Sequence, residues 1–500
     1  MKKRLWKFAS LGAMLTVMLV IAAPAWSQSV DDKIKALEQE LAALKSQQIE
    51  LKKEATAAAA ALPDFSYRPG NGVNIQAADK SWSIRFSMET DLRSLFESGQ
   101  DALGRTNGEI MLRRFRPYFY YCIDNCLYEI ELAFDMDGFG TGNAKNSTGG
   151  VGSIMHRGAV NFHLENLNPY LPTAVIGGDV STSFSTSRQG SSAVGAQLEY
   201  DLISRSMGPD DGRAGWGYLL NWDSRPLDAI GIPGRIGRLQ LGMASVREGD
   251  DNLSSMTDRK DFVTYISVFP FSQLKNKWLE GLMFEFGAWF CNVDQRQQAD
   301  NGCNRVQIQD NGDSARQTLF TTGANSIGEG LVTYISPGIT WGIGPYQLRA
   351  MGSFFQGADG NFSPPPPGGQ PALRGKKRAS NFLIGHDLFV WSPKGFLTGS
   401  ANTPGSILVG THFERNDVSC DTPRCTNING GQFHRGTYIL REWDLWYFLA
   451  ARMSIGGGLW WYDASNLTTT VQKNLGIRNN GRSGGGGSWL DGLLAYRYQF

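Results

Sequence analysis

Along much of this chain the side chains alternate between apolar and polar with a period of two. In residues 81–96, Trp82, Ile84, Phe86, Met88, Leu92 and Phe96 share one face, and Ser83, Arg85, Ser87, Glu89, Asp91 and Arg93 share the other. Successive side chains of a strand point to opposite sides of the pleat, so the pattern specifies strand. It returns in 127–137, where Tyr128, Ile130, Leu132, Phe134 and Met136 oppose Glu129, Glu131, Asp135 and Asp137. It returns again near 213–223, 281–290, 346–355 and 405–415. In the last stretch Leu494, Tyr496, Tyr498 and Phe500 alternate with Ala495, Arg497 and Gln499. A soluble sandwich rarely sustains so many long strands with charge on one face only. A closed barrel in lipid does, because no backbone edge can be left unpaired there.

The expected fold class is therefore an all-β transmembrane barrel with a short N-terminal α-helical coiled coil. About 420 residues at ~25 per strand and connection give 16 or 18 antiparallel strands, an even number. Barrels of that size enclose water. The composition agrees, with 60 glycines, 11% aromatic residues and a mean hydropathy of −0.28. Only half of each strand is apolar in such a barrel, and its turns are rich in glycine. Segments 166–171 and 122–126 read as short periplasmic turns. Segments 138–153, 293–319, 357–376 and 417–433 read as long external loops.

Residues 1–27 read as an export signal. Lys2, Lys3, Arg4 and Lys7 precede an apolar run over 11–23, and small residues near Ala23 and Ala25 offer a cleavage site. The run is shorter than the ~20 residues a spanning helix needs. The whole chain carries 48 Lys and Arg against 47 Asp and Glu. Loss of the signal tips that balance slightly to the acidic side, with no bias toward nucleic acid. The six cysteines fall into local pairs, Cys122 with Cys126, Cys291 with Cys303 and Cys420 with Cys425. In an oxidising compartment the expected outcome is three short-range disulfides.

Residues 28–62 form a second domain, expected in the periplasm. Ile34, Leu37, Leu41, Leu44 and Leu51 step by three and four, with Gln48 as one polar position in the seam. That is a heptad pattern, and about three heptads do not make a stable isolated helix. The seam predicts self-association, with a homotrimer suiting barrels set side by side. Its alternative is a helix packed on its own barrel. The barrel spans 63–500. Its expected partners are outer-membrane lipid, further copies of the chain, small solutes and, through Phe500, the outer-membrane assembly machinery. The expected location is the bacterial outer membrane.

One hairpin is distinctive. Glu109-Ile-Met-Leu-Arg113-Arg114-Phe-Arg116 is followed, after a turn, by Tyr128-Glu129-Ile-Glu131-Leu-Ala-Phe-Asp135. Downstream come Val175-Ile-Gly-Gly-Asp179, Phe184-Ser185-Thr-Ser187-Arg188, Ile203-Ser204-Arg205-Ser206 and Gly212-Arg213-Ala-Gly215. As a set these resemble the phosphate-selective porin O/P family over residues 30–225; beyond them only architecture and the last strand match. The resemblance implies a signal peptide, a short coiled coil, a 16-stranded trimeric barrel and a pore narrowed by its third external loop, here about 181–209. It implies phosphate selection by basic residues on the lumen wall and that loop. This chain departs there: the loop holds Arg188 and Arg205 against Glu199 and Asp201 and has no lysine.

An arginine facing lipid at mid-depth costs ~2–4 kcal/mol, so Arg114 and Arg116 are expected inside, opposite Glu129, Glu131 and Asp135. Arg85 and Arg93 join them from the preceding strand. These wall charges either select solute or brace the wall, and both readings can hold together. No cofactor or metal site is read: His156 and His163 are seven apart on a strand and so face opposite sides. No catalytic constellation is legible, so an enzyme is not expected. Trp443, Trp446, Tyr447, Trp460, Trp461 and Tyr462 are expected as girdle aromatics at the membrane interface. Two functions stay open. One is a water-filled diffusion channel for small hydrophilic solutes or ions, anions such as phosphate among them. The other is a barrel acting as a sheath or structural tether for a partner chain.

Overall fold

The computed structural model describes residues 30–60, 62–100, 106–134, 155–178, 180–181, 213–214, 217–223, 234–244, 261–293, 307–309, 318–321, 330–357, 377–420, 435–467 and 485–499. The expected export signal, the terminal Phe500 and most of the long-loop segments lie outside them. The helix and the barrel form two separate units, divided after Pro63. Helix α1 (Val30–Ala60) is one run of 31 residues. Ile34, Leu37, Leu41 and Leu44 are all exposed on it. Among the described residues no helix is long and apolar enough to cross a membrane.

The barrel unit opens with a hairpin of β1 (Asp64–Arg68) and β2 (Gly72–Gln76). There follow β3 (Trp82–Gln100), β4 (Thr106–Ile123), β5 (Tyr128–Phe134), β6 (Met155–His163) and β7 (Thr173–Gly178). Short β8 (Val180–Ser181) and β9 (Arg213–Ala214) pair with each other ahead of β10 (Gly217–Asp223). Next are β11 (Arg235–Ala244), β12 (Asp261–Phe269) and β13 (Leu282–Val293), with β14 (Gln307–Gln309) and β15 (Thr318–Thr321) as a separate hairpin. Then come β16 (Gly330–Ile343), β17 (Tyr346–Gln356), β18 (Lys377–Ser392), β19 (Gly395–Phe396), β20 (Ile407–Cys420), β21 (Arg435–Ala450), β22 (Met453–Leu467) and β23 (Gly485–Gln499).

Sixteen of these strands close into one antiparallel barrel. Neighbours pair in chain order from β3 to β7, β7 pairs with β10, and the order resumes to β23, which pairs back onto β3. Closure pairs each of the sixteen strands on both sides, so the backbone groups of the paired stretches are satisfied without water. The seam is shared. β23 covers β3 from Glu89 to Glu97, and β2 covers the same edge from Ser83 to Phe86. Gly72 makes that junction possible. Its φ is 77°, and a Cβ there would sit 1.8 Å from the Phe86 carbonyl oxygen.

At one end of the barrel the connections are short. Residues 124–127 join β4 to β5, a single 3₁₀ turn (Leu164–Asn166) with its following turn joins β6 to β7, and two-residue turns join β16 to β17 and β21 to β22. Parity then sorts the side chains. Ile84, Leu92, Phe119, Ile130, Phe284, Phe286, Leu445, Leu459 and Leu494 point outward and are exposed. Glu89, Asp91, Arg93, Glu129, Glu131 and Arg497 occupy the alternate, inward positions and are buried. The expected aromatic girdle divides by the same rule. Trp443, Tyr447 and Trp461 lie outside, whereas Trp446, Trp460 and Tyr462 are inward and almost wholly buried. Two adjacent strand residues cannot share a face, so Trp460 and Tyr462 could not join Trp461 in one belt. On the inside Tyr462 instead stacks on Trp489, with ring centroids 4.8 Å apart.

Candidate functional site: the charged inner wall

The inner wall formed by β23, β3, β4 and β5 carries most of the charges singled out in the sequence. Arg93 and Asp91 are two apart on β3 and so share the inner face. Arg93 donates to both carboxylate oxygens, Nε to Oδ1 at 3.1 Å and Nη2 to Oδ2 at 2.6 Å. Closure of the barrel brings Arg497 of β23 directly opposite Asp91. Its Nε is 3.9 Å from Asp91 Oδ2, and its guanidinium lies 4.0 Å from the centre of the Trp446 ring. All three charged side chains are at most 1% exposed. A buried ion pair of this kind is held by short charge-assisted hydrogen bonds and is costly to leave half-made.

On the β4 side, Arg114 occupies the register position opposite Asp91, and Arg116 the one opposite Glu89. The register slips between them and Leu112, which pairs with Leu92, so Arg113 is an extra residue with no partner across β3. This bulge sets Leu112 on the lipid side and the position of Arg114 on the lumen side, although the two are only two residues apart. The expected pairing across β5 does not form for Glu129 and Glu131. Cys122 stands opposite Glu129 and Tyr120 opposite Glu131. The tight turn at 124–127 fixes this, because it pairs Ile123 with Tyr128 and so keeps the arginines several residues further up the strand. A bond between Cys122 and Cys126 spans that turn.

Glu129 is served instead by Arg85, whose Nη2 is 3.9 Å from Oε2. Asn161 Nδ2 donates to Oε1 at 2.9 Å, and His163 Nε2 is 3.7 Å from the same oxygen. Arg85 is over a third exposed and stacks 3.9 Å above the Tyr120 ring. It is the accessible cation of the group, whereas Arg93 is a bracing one. Asp135, Arg188 and Arg205 lie outside the described residues, as does most of loop 181–209. Cys291 is also disulfide-bonded. Cys303 and Cys425 lie outside the described residues, and of Cys420 only the backbone is described.

Several inward groups escaped the sequence reading. Arg497 carried a signal, since it sits at an inward position of the last strand. Glu285 accepts from Tyr265 Oη at 2.6 Å and from Thr340 Oγ1 at 2.7 Å. Glu414 accepts from Asn381 at 2.6 Å and Asn416 at 2.9 Å. Tyr265, Thr340 and Asn381 come from other strands, so these sets are not legible in the sequence. Among the described residues, the buried charged side chains comprise ten carboxylates, Glu89, Asp91, Glu129, Glu131, Asp261, Glu285, Glu414, Glu442, Asp444 and Asp491, against two arginines, with His412 beside them.

A closed antiparallel barrel with an apolar outer surface and polar groups inside is a transmembrane β-barrel, and its place is the bacterial outer membrane. No protein-family model matches the chain, and no curated protein matches it. Solved structures do. The outer-membrane channel DcaP of Acinetobacter baumannii is 8% identical, covering 84% of this chain and 98% of its own, with a TM-score of 0.45. The outer-membrane protein OmpT of Vibrio cholerae, in trimer form, is 9% identical over 84% of this chain and 100% of its own, with a TM-score of 0.44. OprB of Pseudomonas putida is 10% identical over 83% and 94%, with a TM-score of 0.44.

Proposed function

We propose that this protein is an outer-membrane porin, a water-filled diffusion channel for small hydrophilic solutes or ions. The observation that carries the proposal is the closed barrel of sixteen strands with charged and polar side chains at its inward positions. A barrel of eight strands is filled by its own side chains, whereas one of sixteen encloses an aqueous channel. Liposome swelling with sugars of increasing size tests this. Swelling with small sugars and none with large ones is expected, and liposomes that stay impermeable to arabinose overturn it.

Membership of the phosphate-selective porin O/P family rests on the Arg113-Arg114-x-Arg116 hairpin and the motifs after it. Anion or phosphate selectivity is that family's implication. The excess of buried carboxylates among the described residues favours cations instead, because fixed charge on a pore wall sets which ion is concentrated there. A reversal potential across a KCl gradient decides between them. The exposed Ile34, Leu37, Leu41 and Leu44 seam supports assembly of copies, with a trimer as the proposed state and Leu51 extending the seam. Loop 181–209 remains the proposed constriction, with Arg188 and Arg205 in it. The export signal and the part played by Phe500 in assembly are proposals from sequence. The tethering or sheath reading loses support if the isolated chain conducts.

A further inference from the structure

Apart from the bracing network, three neighbouring strands bring one histidine and three carboxylates together on the inner wall. His412 of β20 lies opposite Glu442 of β21, and Asp387 of β18 and Asp444 of β21 both stand opposite Gly410 between them. His412 Nδ1 is 3.4 Å from Asp444 Oδ2 and 3.6 Å from Glu442 Oε2. On the other edge of the ring, Nε2 is 3.3 Å from Asp387 Oδ1. Ligand atoms of His412, Glu442 and Asp444 all lie within 4.8 Å of one another. The ring fits because Gly385, across from His412, has no side chain; a Cβ there would lie 2.3 Å from His412 Cδ2.

Elsewhere on this wall buried acids are supplied with donors, as Glu285 and Glu414 are. Asp444 is not. It is 3% exposed, and neither of its carboxylate oxygens accepts a hydrogen bond; His412 Nδ1 likewise makes none. Burying a carboxylate with no donor is strongly unfavourable in general. A cation at the point where Nδ1, Glu442 and Asp444 converge supplies Nδ1 and the Asp444 carboxylate with a partner at once.

We infer that His412, Glu442 and Asp444 form a binding site for a divalent first-row transition-metal ion, with Asp387 orienting the imidazole. One imidazole with carboxylates suits Zn²⁺ and its neighbours, whereas Mg²⁺ and Ca²⁺ prefer all-oxygen sets. A carboxylate on the far ring nitrogen is the usual support of a metal-bound histidine, because it fixes the tautomer and raises ligand basicity. The other grouping of this kind among the described residues, Cys122, Cys126 and Glu129, is closed to metal because its two sulfurs are bonded to each other.

The test uses the untagged, folded full chain, stripped with EDTA and titrated with Zn²⁺ alone by calorimetry, with Co²⁺ absorption as a second readout. One saturable equivalent per chain is expected, unaffected by excess Mg²⁺. His412→Ala and the isosteric Asp444→Asn each weaken binding by at least about tenfold, and Asp387→Asn weakens it by roughly 10–100-fold. Heat-modifiable migration on gels confirms that each variant is folded, and Asp444→Asn serves where His412→Ala does not fold. Absence of a saturable equivalent in the natural chain, or unchanged binding in folded Asp444→Asn, overturns the inference. Neither outcome depends on whether the barrel conducts.

Discussion

Arg93 grips Asp91 with both its Nε and an Nη, and neither side chain has any exposed surface. The pair is therefore part of the wall. Replacing Arg93 by Ala removes the bidentate partner of the buried Asp91, and the expected loss is about 3–5 kcal/mol of barrel stability. Urea unfolding of the refolded protein in detergent or lipid measures it. A variant as stable as the natural chain, with altered ion selectivity, would instead make Arg93 an open pore-lining charge.

Arg85 predicts the reverse. It is partly exposed and 3.9 Å from Glu129, a pair of the kind worth at most about 1 kcal/mol. Arg85→Ala should change stability little and move the reversal potential toward cations. Glu129→Gln should move it the other way. No shift in either variant would remove this part of the wall from the permeation path.

The turn between β6 and β7 carries a pH dependence outside the membrane-spanning segments. Burial pushes the Glu165 carboxyl up, but the hydrogen bond from Thr173 Oγ1 and the contact with His163 outweigh it and hold the group below its ordinary value of 4.5. A depressed folded value contributes stability above the unfolded value and loses it as pH falls through the folded one. Amide exchange in 164–172 should therefore quicken as pH drops below that ordinary value, after correction for intrinsic rates. Glu165→Gln should abolish the added acid dependence.

The outward face gives a test by parity. Leu459 is outward and half exposed, whereas Trp460 beside it is inward and fully buried. Leu459→Arg should cost about 2–4 kcal/mol if it sits at mid-depth, less near an interface. The loss should be much smaller when the variant is refolded in a detergent that lets the arginine reach water. An equal loss in lipid and in detergent would mean that Leu459 packs against protein instead.

Parity made the strands legible. Once the face of Glu129 or Leu494 was assigned, every second residue along that strand followed. What parity cannot carry is register. The bulge at Arg113 leaves each half of β4 in proper alternation, and its one trace in the string of residues is the change of apolar phase from Ile110 and Leu112 to Phe115 and Phe119. The partners of Glu129 depend on a turn at 124–127 that decides which β4 residues come level with it. A girdle expected from residue type fails at Trp446, Trp460 and Tyr462, where the period of two puts the side chain inside. The His412 cluster was out of reach for a different reason. Its members lie on three strands joined by connections of different lengths, and only strand pairing brings them level. The alternation of Glu442, Trp443, Asp444 and Leu445 was its one local trace.

Single-channel recording in a planar bilayer tests the central claim most directly. Refolded chain added to one side should give discrete, ohmic conductance steps that scale with KCl concentration, as a water-filled pore requires. Protein that inserts fully, by heat-modifiable migration and protease protection, yet gives no ion-permeable state at any voltage would contradict it.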